Sequence, residues 1–182
     1  MAIKKLSKRD STIEIKQNNV ILDEDDFIIS KTDINGNILY CNEMFSKISG
    51  YDASDLIGAN HNLIRHPDMP KLAFKILWDL IKEKKEFFGF VKNLIKDGSY
   101  YWVFAYITPD FDNNGNIISY TSVRRKATQS AIDTIIPIYK LLIEAEKSGG
   151  VEASSKVLNN YLKEHNTSYD EFIINLQKGA IV

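Results

Sequence analysis

With 182 residues, 44% of them hydrophobic and 26% charged, the chain has the composition of a globular protein long enough to bury a sizeable core. A formal net charge of −1 argues against a nucleic-acid binder, which needs a basic face; the cluster Lys4, Lys5, Lys8 and Arg9 reads as a frayed terminus. One cysteine excludes an internal disulfide framework and fits a reducing compartment, no apolar run approaches the roughly 18–20 residues that span a bilayer, and the N-terminus lacks a signal-peptide core.

Residues 1–22 are polar with scattered isoleucines and read as a leader. Phe27–Thr32 and Ile38–Cys41 are short strand-like runs separated by Asn35-Gly36, a strong tight-turn signal. Asn42–Ser49 and Asp52–Ile57 read as short helices divided by Gly50-Tyr51, with Gly58 closing the second. Next comes His61–Pro70, HNLIRHPDMP, the most informative stretch of the chain. It gathers a guanidinium, an imidazole and a carboxylate (Arg65, His66, Asp68) into four residues. Pro67 disfavours helix for His66, while Pro70 suits the first turn of the helix that follows. The three polar groups are therefore expected on a stiff, irregular loop able to surround a polar ligand.

The spacing predicts a helix over Met69–Lys85, with Met69, Leu72, Ala73, Ile76, Leu77, Leu80 and Ile81 as its apolar stripe. Phe74 and Trp78 fall about 120–160° from the centre of that stripe. They need a second surface: a ligand, the leader or a partner chain. Three strands follow, Phe87–Ile95, Tyr100–Thr108 and Ile117–Arg124, joined at Asp97-Gly98 and Asn114-Gly115 as an antiparallel meander. The order β-β-α-α-α-β-β-β describes an α+β domain, a five-stranded antiparallel sheet with helices on one face. Beyond Lys126, Gln129–Lys147 reads as a helix kinked at Pro137 and ended by Ser148-Gly149-Gly150. Val151–Glu164 has helical spacing, and Ser168-x-x-Glu171 is a capping-box signal for a last helix to Gln177. The expected organisation is a leader over 1–25, the α+β domain over 26–127 and a C-terminal helical extension over 128–182.

Several pieces together carry a resemblance: Asn42, Ser49-Gly50-Tyr51, His61-Asn62, the Arg65–Pro70 run, Trp78, Val91-Lys92-Asn93, Tyr101-Trp102-Val103 and Pro137-x-Tyr139-Lys140. Over roughly Asp26–Leu142 the chain resembles a PAS domain, and more closely the flavin-binding PAS domain of bacterial aerotaxis receptors. SGY, DG and YWV occur across PAS domains, whereas RHPDMP with a tryptophan on the following helix is far more specific. That family senses oxygen or redox state through FAD and biases swimming direction. The resemblance implies FAD held non-covalently by the residues at Asn42, Arg65, His66, Asp68, Trp78 and Asn93. Two departures stand out. Phe87 replaces a tryptophan found in many relatives, and the membrane anchor and signalling helices of a full receptor are absent from these 182 residues. The likeness is to the stand-alone sensor of bipartite energy-taxis systems or to a piece of a larger receptor. It implies a cytoplasmic protein that signals in trans to a membrane-bound chemotaxis transducer, with a homodimer as a further association.

The residues themselves leave alternatives open. Arg65 can pair with a flavin diphosphate or with Asp68, and Asp68 is expected chiefly to cap the following helix. The Asn93 amide offers both a donor and an acceptor. It can follow the change from a bare flavin N5 to N5–H, or simply pair with a neighbouring strand. Trp78 can cover the cofactor's adenine end or pack against the leader, and Trp102 is expected in the core. His61 and His66 would lie about 140° apart on a helix, and Cys41 belongs to no zinc pattern, so no metal site is expected. Haem with one axial histidine is the lesser cofactor alternative. Cys41 also lies outside the motif of a cysteinyl-adduct photosensor. With no P-loop, GxGxxG or GxSxG the chain is not expected to be an enzyme. The rival from another class is a cofactor-free PAS module for dimerisation or docking. The faces around Ile132, Ile135, Ile136 and Tyr139, and around Val157, Leu158 and Tyr161, would then be contact surfaces or internal packing.

Overall fold

A computed structural model of the chain describes residues 12–179; the basic cluster Lys4, Lys5, Lys8 and Arg9 lies outside them. Five strands, β1 (Ile28–Thr32), β2 (Ile38–Cys41), β3 (Phe87–Leu94), β4 (Tyr100–Phe111) and β5 (Ile117–Lys126), form one antiparallel sheet in the order β2-β1-β5-β4-β3. The chain therefore leaves the sheet after β2 and returns at the opposite edge. Between the two lie α1 (Glu43–Ser49), α2 (Ala53–Leu56), a 3-10 turn (His61–Ile64) and α3 (Lys71–Lys82). β5 runs past the expected Arg124 because Arg125 and Lys126 pair with Phe104 and Val103 of β4, and β4 runs past the expected Thr108 because the turn joining it to β5 is tight. The Asp112 carboxylate accepts the Asn114 and Asn116 amide hydrogens, so the ladder continues almost to the turn.

Alternation gives each strand two faces. Tyr101 and Val103 join Phe45, Ile48, Leu56, Leu63 and Ile64 in a cluster that holds α1, α2 and the 3-10 turn to the sheet. Phe90, Trp102 and Phe104 stand on the other face and form a core with α3 and two C-terminal helices, α4 (Gln129–Glu164) and α5 (Tyr169–Gln177). Ile132, Ile135, Tyr139 and Leu158 are buried in this core, so the faces weighed as contact surfaces are largely internal packing. The Tyr139 hydroxyl donates to the Phe90 carbonyl at 2.8 Å, anchoring α4 to β3. Trp102 lies within this core, 6% exposed, as expected.

Two local expectations change. The backbone of α4 leaves helical dihedrals at Gly149 (φ −148°) and Gly150 (φ 66°), where Ser148-Gly149-Gly150 is expected to end the helix, whereas Pro137, expected to kink it, sits inside the helix without such a departure. Two successive residues without Cβ leave helical dihedrals more readily than one missing N–H forces them to. The α3 helix begins at Lys71 with Pro70 as the residue before its first turn, and Lys84, at φ 64°, lies just beyond its end. The capping box at Ser168 and Glu171 forms as read.

Part of the leader is built into the fold. Lys16 N–H donates to Gly98 O, Tyr100 N–H to Asn18 O and Val20 N–H to Tyr100 O, each at 2.8–2.9 Å, and Leu22 is buried. This strap presses on the β3–β4 turn, where Gly98 holds φ 94° and a Cβ would stand 2.0 Å from the Glu14 carbonyl oxygen. Gly98→Ala should lower stability by about 1–3 kcal/mol through the positive φ and the clash. It should also make Thr12–Val20 more open to proteolysis. An unchanged urea midpoint with unchanged cleavage would show that the strap does not rest on this glycine.

Candidate functional site

A half-enclosed cavity lies between α3, the inner face of β3–β5, the Asn35-Gly36 turn and the 3-10 turn. The space open to the centre of a water molecule is about 140 Å³, room for on the order of ten waters. Its α3 wall is made by Phe74 and Trp78, the two aromatics outside the helix's core stripe, together with Leu77 and Ile81. Trp78 meets the Tyr120 ring edge-on at 5.7 Å, and the Gly36 turn closes on the indole. The cavity is therefore a second surface for these aromatics, and the described part of the leader, from Lys16 to Val20, runs along the β3–β4 turn. Arg65 stands at the rim, its guanidinium 4.0 Å from the Phe74 ring centroid and 3.4 Å from the Met69 carbonyl.

The sheet contributes Asn93 from β3 and Ser122 and Arg124 from β5. Asn93 is 3% exposed, and its Nδ2 has no hydrogen-bond partner among the described residues; the same holds for Ser122 Oγ and Arg124 Nε. The Asn93 side chain lies close enough to the Tyr101 hydroxyl to favour its ionised form, yet neither Nδ2 nor that hydroxyl reaches hydrogen-bonding geometry. Burial wins and pushes Tyr101 up to about 12. Arg124 is buried at 2% exposure; its Nη2 donates to Ser30 Oγ at 2.6 Å and its Nη1 lies 3.2 Å from His61 Nε2. Burial lowers the guanidinium to about 10, so it stays charged at neutral pH. Among the described residues lining the cavity there are two arginines and no carboxylate.

Of the residues singled out in the sequence, Arg65, Trp78 and Asn93 share this cavity. Asn42, His66 and Asp68 do not line it. Asn42 caps α1: its Oδ1 accepts from Phe45 N–H and Ile29 N–H, and its Nδ2 donates to Phe27 O. His66 lies in a second, more open cleft, shared with Arg65, Lys71 and the α4 residues Glu146 and Lys147. Asp68 pairs with Lys92 at 2.7 Å. Partial burial opposes its ionisation, but Lys92, by hydrogen bond and charge, and the charges of His66 and Lys140 hold it below the usual carboxylate range.

Asp68 does not cap α3 as expected. Glu146 does: its carboxylate accepts Lys71 N–H at 3.0 Å and Leu72 N–H at 2.8 Å. The helix starts after a proline whose side chain offers no acceptor, so its first amides are met by a carboxylate from α4. The residues that sequence reasoning missed are Glu146, His61 as a neutral acceptor, and Arg124. Period-two alternation from Tyr120 through Ser122 would have placed Arg124 on the inward face.

Burial and the charge of Arg124 push His61 down to about 3, against an ordinary value near 6.5. Its neighbours are Arg124, Ser30 and the Phe45 ring. Between those two values the unfolded chain binds a proton that the folded chain refuses, so this group's contribution is full above pH 6.5 and is lost on acidification. Urea unfolding at pH 7, 6, 5 and 4 should show stability falling with a slope of up to about 1.4 kcal/mol per pH unit from this site. His61→Gln should flatten the profile between pH 6 and 4; an equal slope in that variant would assign the effect elsewhere.

Residues 38–124 match the family described as the PAS fold. The chain is 36% identical over 148 residues to the aerotaxis receptor of Escherichia coli (strain K12), covering 81% of this chain and 29% of the receptor. It is 28% identical over 102 residues to a nitrogen fixation regulatory protein of Klebsiella oxytoca, covering 56% of this chain and 21% of that protein. It thus spans less than a third of either relative's length. Among solved structures, the light-state LOV domain of the blue-light photoreceptor Aureochrome1 superposes with a TM-score of 0.56 at 20% identity, over 60% of this chain and 88% of that one. With its sheet order, its helices inserted between β2 and β3 and these matches, the chain carries a PAS domain, which the family match places over residues 38–124.

Proposed function

We propose that this chain is a cytoplasmic redox or oxygen sensor for energy taxis, that it holds FAD non-covalently in the cavity, and that it signals to a chemotaxis transducer without being an enzyme. The observation that carries this reading is the lining of the cavity. Two aromatics belong to one wall, buried donors stand on the sheet side, and two guanidiniums face no carboxylate among the described residues. Such a site suits a flat heterocycle rich in acceptors with an anionic tail. The residues present fit a flavin: the unpartnered Asn93 Nδ2 and Ser122 Oγ can serve ring acceptors, Phe74 and Trp78 can flank an aromatic system, and Arg65 at the rim can meet a diphosphate. Bound there, the flavin would supply reversible storage of electrons. The relation to an aerotaxis receptor supports the same ligand.

The remaining site residues act through position in this reading. Asn42 fixes the start of α1, while the Asp68–Lys92 pair and His66 hold the loop that carries Arg65. Output runs through two contacts. Asn93 forms a β-bridge with Arg65, so rotation of its amide to follow a changed hydrogen-bonding pattern strains the loop. Arg65 in turn feels the charge of Glu146, the carboxylate by which α4 caps α3. A disturbance beside the ring thereby reaches the C-terminal helices, which would present it to the transducer or to a second copy of the chain.

The first test is the absorption spectrum of the purified protein, followed by heat release of any chromophore. Twin flavin bands and released FAD are expected. A protein that stays colourless after incubation with FAD would leave the cofactor-free docking module, and a Soret band would point to haem. Asn93→Ala should weaken FAD binding about tenfold, the size of one well-placed hydrogen bond. It should also abolish any difference in amide exchange along α4 between oxidised and reduced protein. Retention of both would remove Asn93 from the signalling route.

A further inference from the structure

The flavin reading counts Arg124 among the cavity's guanidiniums but gives it no part of the ligand, yet its Nε has no partner among the described residues. Two of its three nitrogens meet neutral partners: Ser30 Oγ accepts from Nη2 and His61 Nε2 lies against Nη1. The third, Nε, has no partner among the described residues, and the face of the guanidinium rests 4.6 Å from the Phe45 ring centroid. The titratable groups that act on it are His61, Tyr101 and the Cys41 thiol: His61 is neutral, the Tyr101 phenol is held protonated by burial, and no carboxylate is found among the described residues lining the cavity. A buried charge is tolerated where something offsets it, and the protein chain described here supplies no anion to do so.

Position then narrows what does. Arg124 and Ser122 share one face of β5, and Asn93 joins them in the cavity from β3; each has a buried polar atom without a partner among the described residues. This sheet side is rich in donors and carries one full positive charge. Its affinity for a ligand must rise if the ligand's acceptor edge becomes negative. Reduction of a flavin by two electrons with uptake of one proton leaves one negative charge on the ring system. We infer that Arg124 is the counter-charge for the reduced ligand, so that the cavity binds reduced flavin more tightly than oxidised flavin and raises its midpoint potential. This rests on the flavin reading given above and adds to it a residue that sets the potential at which the sensor switches.

The test is an anaerobic titration of the flavin-loaded protein with dithionite beside a reference dye, read from the flavin spectrum. Wild-type protein should have a midpoint above that of free FAD in the same buffer. Arg124→Gln should reduce the preference for the reduced form about tenfold, a fall of about 30 mV for a two-electron couple. Arg124→Lys, which keeps the charge, should stay close to wild type. An unchanged midpoint in Arg124→Gln, or an equal fall in Arg124→Lys, would overturn the inference while leaving flavin binding intact. If Arg124→Gln does not fold, the wild-type midpoint decides, and a value below free FAD overturns the inference. A wild-type protein that takes up no flavin would overturn the flavin reading and this inference together.

Discussion

A positive charge enclosed at Arg124 organises the inner half of the molecule. The guanidinium ties β5 to β1 through Ser30 and to the 3-10 turn through His61, and it lies over Phe45 of α1. These contacts depend on the strand order, because β1 pairs directly with β5 and sets Ser30 opposite Ser122. The charge also fixes the state of its neighbour. His61 can accept from the guanidinium as a neutral imidazole whose proton sits on the other ring nitrogen. The cavity is thus bounded by a charged group that packing holds in place.

The loop before α3 is held from within, His66 accepting from Asp68 N–H at Nδ1 and from Met69 N–H at its carbonyl, and from its neighbours. Lys92 reaches it twice from β3: its backbone N–H meets the Met69 sulfur and its ammonium meets Asp68. The Asn93–Arg65 bridge adds a third tie, and Glu146 caps the helix into which the loop runs. A segment held by β3 on one side and α4 on the other cannot shift without disturbing one of them. This is the physical content of coupling between the cavity and the C-terminal helices, and Arg65 belongs to both.

The elements legible in the sequence were those set by local chemistry. Asn35-Gly36, Asp97-Gly98 and Asn114-Gly115 marked the turns, and the resulting strands pair as an antiparallel sheet. Phe74 and Trp78 announced a second surface simply by falling off the helix stripe, and the cavity is one such surface. What stayed hidden was contact at long range. Asp68 is the nearest acidic residue to the start of α3, yet Lys92 engages it and a carboxylate some 75 positions later takes the cap. Arg124, followed by Arg125 and Lys126, reads as the solvated end of a strand, and the pleat alone separates the inward arginine from its outward neighbour. The glycine pair was legible as the end of a helix, whereas Pro137, read as a kink twelve positions earlier, stays inside it.

That glycine pair sets what kind of motion the C-terminal segment can deliver. An unbroken helix of 36 residues would act as a torsion rod, turning at its far end whenever its near end turned. Glu146 attaches to α3 three residues before the break, and beyond it Leu158 and Leu162 fold back with Phe172 and Leu176 onto the shared core. Torque applied at Glu146 is therefore absorbed at Gly149-Gly150. What leaves the joint is the opening and closing of a clasp, made by the second arm of α4 and α5 against the first.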